Sequence, residues 1–357
     1  MITRSFCSAK TKVSKPLSSV RVIELEGLAI APFVGKLLQD YGAKVTRIDR
    51  LDRKPHYGTT ALGHGKSVIQ LDLKNEEDKR TFIGMVENEC DILIDPYRPK
   101  KMEKLGLGSN KLRSINERLI YTSLTGYGHE GCMTSSAGHD INYLSMSGAL
   151  SMFSGRASAS DSNLLIPIPP VNFLGDFAGA GLTGSFGIVM ALFERELTGK
   201  GQNVNVSVVD GVNYMTSFFH CLKADNLWGP TGTNMIDGGA FYYGVYETQN
   251  ENEFVAVGAI EPQFYHELVK CLSLDINDLP EQNDSSKWPE MKELFAKIFK
   301  SKTRDEWVEI CEGKEACLTP VLTLDEVKVH QNSIESDMFH CFDGVAKPTP
   351  PVKLLRH

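Results

Sequence analysis

The sequence predicts an α/β fold with a large domain on a parallel sheet and a smaller α+β domain. Three observations indicate this: strands and helices alternate in the first half, a hairpin pattern follows near residue 250, and 357 residues exceed one small core. The expected division is a basic leader at 1–16, a large domain at 17–225, a small domain at 226–325, and a C-terminal segment at 326–357 that returns to the large domain.

The first strand–helix–strand unit opens the predicted large domain. Residues 20–25, of which four are apolar, predict a buried strand, and helical spacing over 32–41 predicts a helix that ends at Gly42. Residues 44–49 predict the next strand, so the two strands are expected to be parallel with a right-handed crossover. The unit has no G-x-G-x-x-G string, which argues against a nicotinamide or flavin cofactor.

The alternation of strands and helices continues along the chain. The spacing predicts strands at 67–71, 91–94, 119–124 and 204–208, and helices at 76–86 and 176–197. The last of these helices is rich in small apolar residues and is therefore predicted to be buried. The smaller domain is predicted to contain a hairpin at 243–248 and 253–260 and helices at 262–271, 288–299 and 303–310. The C-terminal segment that follows it, with Pro348, Pro350 and Pro351, is predicted to be extended.

Composition excludes several classes of protein. A net charge of −7 gives no general case for binding nucleic acid or a membrane surface, and no apolar run is long enough for a membrane span. The eight cysteines form no C-x-x-C pair, which indicates reduced thiols and no metal site. The leader is basic, rich in Ser and Thr, and free of acids, so a transit peptide and a leader without structure are equally supported.

Three titratable residues lie in short strings rich in glycine: His139 in GHDINY, Asp176 in GDFAG, and Glu261 in GAIEPQFY. Each also has a structural explanation as a helix cap. Aspartate is favoured at N-caps, and Glu261 precedes Pro262, which suits a first helical position. Taken one at a time, the strings therefore favour caps over an active site.

Together the strings resemble the α-methylacyl-CoA racemase branch of the family III CoA-transferases, with matching segments in the same order from about residue 17 to about residue 345. The resemblance implies a Rossmann-like large domain and an interlocked homodimer. It also implies inversion of the carbon beside a CoA thioester, in branched-chain fatty acid or bile-acid metabolism, without a metal or redox cofactor. Mitochondria and peroxisomes are the expected compartments, and the basic leader favours mitochondria.

The resemblance also implies roles for individual residues. His139 and Asp176 are expected to act as bases on opposite faces of the carbon. Glu261, from the neighbouring subunit, is expected to pair with His139. The backbone N–H of Asp140 is the expected donor to the enolate oxygen, and Asp140 and Tyr143 are expected to contact the bound thioester.

The phosphates of CoA require cations. Arg47, Arg50, Lys74 and Arg98 follow or end predicted strands, where open α/β sheets bind ligands, and Leu71 lies among them. For each cation a solvated surface charge is an equally good explanation.

Two other functions remain open at this point. One is a CoA-transferase that uses Asp176 as a nucleophile, and the other is an inactive paralogue that binds acyl-CoA. The joint presence of His139 and Glu261 favours the racemase, because a transferase requires neither. Cys132 and Lys100 replace residues usual in the family, which bears on substrate range more than on reaction type.

Overall fold

The computed structural model describes residues 15–51, 61–158, 161–342 and 345–355, so the predicted leader lies outside the described residues except for its last two positions. The chain packs as two compact units. Within the described residues, the larger unit contains 15–51, 61–151, 167–218 and 350–355, and the smaller contains 152–158, 161–166, 219–342 and 345–349. The domain boundaries expected near 225 and 325 remain predictions.

The strands, numbered in chain order, are β1 Arg21–Leu25, β2 Lys44–Asp49, β3 Ser67–Gln70, β4 Ile92–Asp95, β5 Ile120–Thr125, β6 Ser154–Ser158, β7 Asp161–Pro167, β8 Asn203–Ser207, β9 Tyr243–Glu247, β10 Phe254–Gly258, β11 Leu318–Pro320, β12 Phe339–Phe342 and β13 Val345–Pro348.

The α-helices are α1 Ile30–Asp40, α2 Glu76–Glu89, α3 Lys101–Lys104, α4 Ser109–Ile115, α5 Asp140–Met146, α6 Thr183–Thr198, α7 Val208–Met215, α8 Ser217–Ala224, α9 Pro262–Cys271, α10 Trp288–Phe299, α11 Arg304–Cys311, α12 Glu326–Val329 and α13 Gln331–Glu335. A π-helix, Phe173–Leu182, runs directly into α6.

The larger unit is built on a parallel sheet with strand order β3-β2-β1-β4-β5-β8. Val22 of β1 is aligned with Val45 of β2 on one side and with Ile92 of β4 on the other. The predicted α/β class is therefore confirmed. The chain leaves β1 toward β2 and later returns to form β4 on the opposite side, which makes the β1–β4 gap a topological switch point, where such sheets bind ligands.

Both faces of this sheet are covered, as expected for parallel strands. Ile23 and Leu25 of β1 pack in one apolar cluster with Phe82 of α2. Val22 faces the other side and packs with Val34 of α1. Alternate residues of a strand point to opposite faces, so one continuous apolar run supplies both cores.

The long helix Phe173–Thr198 packs closely through small residues. A Cβ on Gly179 would lie 2.6 Å from Cγ2 of Val212, and one on Gly181 would lie 2.6 Å from Cδ1 of Phe33. The prediction that this helix is buried holds for one side only, since Phe186 and Phe193 are 65% and 69% exposed. Among described helices it alone is long and apolar enough to cross a membrane, and the core helix of a globular protein meets the same criteria.

The smaller unit contains an antiparallel sheet of order β11-β10-β9, and the predicted hairpin is confirmed as β9 and β10. Edge-to-face aromatic contacts hold its core, among them Phe241 against Phe295 and Phe299 against Trp307. The predicted extended tail is wrong in part. Short helices α12 and α13 precede a β12–β13 hairpin, because local turns satisfy backbone hydrogen bonds that an extended tail would leave to water.

Candidate active site

A cavity of about 530 Å³ opens at the carboxyl ends of β1, β4 and β5 in the larger unit. The turns that follow these strands form its walls, at residues 26–31, 96–99 and 124–127. His139, Tyr143 and Asp176 also line it. The cavity thus lies beside the switch point of the sheet and brings two of the three predicted catalytic residues together.

His139 lies immediately before α5, and its backbone N–H donates to Oδ1 of Asn142 at 3.1 Å. This bond fixes the start of the helix through the side chain of Asn142. The imidazole is exposed and lines the cavity, so it remains available to a ligand.

Asp176 occupies the interior of the π-helix. The helix begins at Phe173, and the N–H of Phe177 donates to the carbonyl of Asn172 at 3.1 Å, a bond across five residues. Asn172 is therefore the N-cap position, and the explanation of Asp176 as a cap is wrong. The wider helix turns Asp176 inward, where it is 7% exposed.

Burial raises the pKa of Asp176 to about 6. Three neighbours modify this effect: the amide of Asn172, which donates to Oδ2 at 2.6 Å, lowers the pKa, Asp140 raises it, and His139 lowers it. A carboxyl group that titrates near neutral pH can both accept and release a proton there.

Asp140 and Tyr143 both belong to α5, but only Tyr143 lines the cavity. Oδ1 of Asp140 accepts the backbone N–H of Asp176 at 2.7 Å. The hydroxyl of Tyr143 donates to the carbonyl of Gly138, and burial raises its pKa to about 12. A Cβ on Gly126 would lie 2.2 Å from the Tyr143 ring, so glycine leaves the space that this ring fills.

A second cavity of about 160 Å³ lies at the carboxyl ends of β2 and β3, where Arg50, Leu71 and Lys74 contribute to its lining. Tyr97 and Lys101 line both cavities, and Nζ of Lys101 lies 3.5 Å from the centroid of the Tyr97 ring. The sequence did not single out Lys101 as a ligand-binding cation. Its position could have indicated this role, because it lies three residues after Arg98 in the segment that follows a predicted strand.

The remaining predicted cations are separated by the fold. Arg98 lines the larger cavity. Arg47 is 6% exposed on β2 and makes paired bonds to the carboxylate of Asp49, at 2.7 Å from Nε and 2.8 Å from a terminal nitrogen. It lies two residues before Asp49 on the same strand, so both side chains lie on one face. Arg47 is absent from the lining of both cavities.

Glu261 belongs to the smaller unit, whereas His139 and Asp176 belong to the larger. It occupies the N-cap position of α9 before Pro262, but its side chain accepts no capping hydrogen bond. The exposed carboxylate is therefore available to other partners.

Within the described ranges, no group of three or more His, Cys, Asp or Glu side chains has an arrangement that could hold a metal ion. The described cysteines are all free thiols. Burial raises the pKa of the Cys90 thiol to about 12, so this thiol stays protonated and has little nucleophilic character.

A sequence model of CoA-transferase family III matches residues 17–356. This chain belongs to CoA-transferase family III. Its relatives in the family include the alpha-methylacyl-CoA racemase of Mus musculus, at 45% identity over 341 residues, which cover 95% of this chain and 86% of the relative. The racemase of Homo sapiens is 45% identical over 324 residues, covering 90% of this chain and 82% of the relative. The acetyl-CoA:oxalate CoA-transferase of Acetobacter aceti is 26% identical over 374 residues, covering 96% and 90%.

Two solved structures share the fold of this chain. A CaiB/BaiF family protein from Brucella suis superposes with a TM-score of 0.79 at 22% identity, over 96% of this chain and 93% of that chain. A protein from Mycobacterium tuberculosis gives 0.77 at 22% identity, over 96% and 94%. The family III assignment expected from the short strings is confirmed.

Proposed function

We propose that this family III chain is an α-methylacyl-CoA racemase, an isomerase that interconverts the (R) and (S) forms of 2-methylacyl-CoA thioesters. The observation that carries the proposal is the convergence of His139 and Asp176 on one cavity at the switch point of the sheet. The 45% identity to racemases of mouse and human supports the same reaction over CoA transfer.

The chemistry needs two groups that exchange protons on opposite faces of C2. In one direction His139 removes the C2 proton, and the electron pair of the C–H bond moves into the thioester to form an enolate. Protonated Asp176 then delivers its proton to the other face, which regenerates the thioester with inverted configuration. Because the pKa of Asp176 lies at about 6, both of its protonation states are accessible near neutral pH.

The enolate oxygen requires a hydrogen-bond donor, since the C2 proton is much less acidic than either base. The backbone N–H of Asp140 follows His139 directly and is the donor we propose. The side chain of Asp140 accepts a hydrogen bond from the backbone of the π-helix, and the backbone N–H of Asp140 belongs to the first turn of α5. A backbone donor at this position is compatible with that arrangement.

The two cavities suit the two ends of an acyl-CoA. The larger cavity, which contains the proposed bases, would hold the thioester and the adjoining part of the chain. The smaller cavity is lined by Arg50, Lys74 and Lys101, whose cationic side chains match the phosphate charges of CoA. Lys101, which lines both cavities, is the residue best placed to contact the phosphates between them.

The proposed site is completed by a second copy of the chain, which supplies Glu261 beside His139 and orients the imidazole. The uncovered apolar side of α6 supports a homodimer: Phe186, Phe193 and Leu197 are 65%, 69% and 73% exposed. An apolar patch of this kind is typical of a surface that a protein partner covers.

The acyl groups that we propose are those of branched-chain fatty acid or bile-acid intermediates, converted without a metal or redox cofactor.

We propose mitochondria or peroxisomes as the compartment, with the basic residues of the leader favouring mitochondria. Imaging of the full-length chain with a C-terminal fluorescent tag tests the compartment, and a purely cytosolic signal would contradict it.

Incubation with an optically pure 2-methylacyl-CoA in deuterated water tests the reaction. A racemase incorporates deuterium at C2 while optical purity is lost. His139→Ala and Asp176→Ala should each abolish both signals, whereas Glu87→Gln on the exposed surface of α2 should retain them. Movement of CoA to an added carboxylate without exchange at C2 would show a transferase instead.

A further inference from the structure

The carboxylate of Asp140 is buried, with the residue 5% exposed, and lies against the backbone of the π-helix. Its Oδ1 accepts the N–H of Asp176 at 2.7 Å. Its Oδ2 is buried without a hydrogen-bond partner among the described residues. A buried carboxylate with one unsatisfied oxygen is costly, and such groups are rare in folded proteins.

The neighbouring backbone leaves space for this carboxylate. A Cβ on Gly175 would lie 2.3 Å from Oδ1 of Asp140, so any side chain at position 175 would displace it. Asp140 itself follows His139 at the start of α5. One residue therefore connects the two proposed bases: its backbone continues from His139, and its side chain holds the turn that carries Asp176.

The polar and charged groups that act on the Asp176 carboxylate lie at the starts of the π-helix and of α5. The amide of Asn172 and the imidazole of His139, both at N-cap positions, favour the ionised form, whereas Asp140 favours the protonated form. Tyr143 of α5 is also within range, since the charge of Asp176 contributes to the raised pKa of its hydroxyl. Asp140 is the group in this set that opposes ionisation by its charge.

We propose that Asp140 is a positioning residue, whose buried carboxylate anchors the helical turn of Asp176 and places a second negative charge beside the Asp176 carboxylate. The anchor fixes where the Asp176 oxygens point. The charge keeps the protonated form of Asp176 populated near neutral pH, so that this group can donate as well as accept. The consequence for catalysis rests on the racemase function proposed above, but the effect on Asp176 does not.

The Asp140→Asn variant separates this role from a purely structural one. Its amide oxygen can still accept the N–H of Asp176, so the anchor is retained while the charge is lost. The titration of Asp176 is measured directly by ¹³C NMR of aspartate side chains, with the Asp176 signal assigned from its disappearance in Asp176→Asn. We expect the midpoint in Asp140→Asn to move to lower pH, and an unchanged midpoint would overturn the proposal.

Gly175→Ala provides an independent variant, because the added methyl group displaces the Asp140 carboxylate without removing its charge. It should move the midpoint of Asp176 in the same direction. Asp78→Asn is the matched control: Oδ2 of Asp78 also accepts a backbone N–H at 2.7 Å, from Asp72, but on α2 and away from the cavity. It should leave the midpoint unchanged, and a shift of equal size would overturn the proposal.

The same variants are then assayed for C2 exchange. Asp140→Asn should lower kcat on the order of tenfold to a hundredfold and move the acidic limb of the pH profile to lower pH, with little change in KM. A wild-type chain that shows no C2 exchange would reject the racemase function, while a shifted NMR midpoint in Asp140→Asn would still uphold the positioning role.

Discussion

The side-chain amide of Asn172 donates a hydrogen bond of 2.6 Å to Oδ2 of the buried Asp176 carboxylate. The two residues are separated by one turn at the start of the π-helix. A hydrogen bond to the ionised form opposes the effect of burial, which otherwise favours the protonated acid. Asn172 therefore keeps the pKa of Asp176 lower than burial alone would make it.

Replacement of Asn172 by Ala should move the acidic limb of the C2-exchange profile to higher pH. Without the donor, the buried carboxylate retains its proton more strongly, so less of it acts as a base at neutral pH. A bond to a charged group contributes about 1.5 to 3 kcal/mol, so exchange at pH 6.5 should fall on the order of tenfold or more. Asn88→Ala, which removes a 2.9 Å bond to the Gly84 carbonyl on α2, should leave the profile unchanged. A shift to lower pH in Asn172→Ala would contradict this account.

Asp176→Asn should be more stable than the wild type above pH 6. The pKa of Asp176 is about 6 in the folded chain against an ordinary value of 3.8, so this group contributes no penalty below pH 3.8, and its destabilising effect grows as pH rises from 3.8 through 6. This difference in pKa between the folded and the unfolded chain corresponds to about 3 kcal/mol. Urea unfolding should show this gain at pH 8 and little difference at pH 4. Glu87→Gln should show no such pH-dependent gain, and a destabilised Asp176→Asn at pH 8 would contradict the prediction.

Lys101→Ala should weaken binding of acyl-CoA more than it slows the chemistry. The ammonium group lines both cavities, and its loss removes a charge-assisted contact to phosphate. We expect KM to rise on the order of tenfold, with kcat changed much less. Lys104→Ala is the matched control on the same short helix, outside the lining of both cavities. Equal effects from the two variants would indicate a general effect of surface charge.

Subunit mixing tests the proposed homodimer and the origin of Glu261. His139→Ala and Glu261→Ala should each be inactive alone. Co-expressed with different affinity tags, the heterodimer should regain one intact site of two, because one subunit supplies His139 and Asp176 and the other supplies Glu261. A mixture of His139→Ala with Asp176→Ala is the control and should stay inactive, since both residues line the cavity of one unit. Recovery in the control, or none in the first pair, would reject the arrangement.

Periodicity predicted most of the fold because it is a local property of the chain. The strands of the parallel sheet and helices α9 and α10 lie where the apolar spacing predicted them. Helices α7 and α8 were missed, and the tail was predicted as extended. Short helices depend on contacts outside their own segment, so their propensity and spacing alone are weak signals.

The sequence by itself determined the fold class, the family and the residues whose strings carry the proposed chemistry. Only the tertiary structure decided how those residues are held. It showed that Asp176 lies inside a π-helix, that burial raises its pKa while Asn172 lowers it and Asp140 raises it further, and that Arg47 pairs with Asp49. The physical reason is distance along the chain. Strings and periodicity are properties of neighbouring residues, whereas burial arises only after the elements have packed. The same holds for the hydrogen bond between Asp140 and Asp176, which are 36 residues apart.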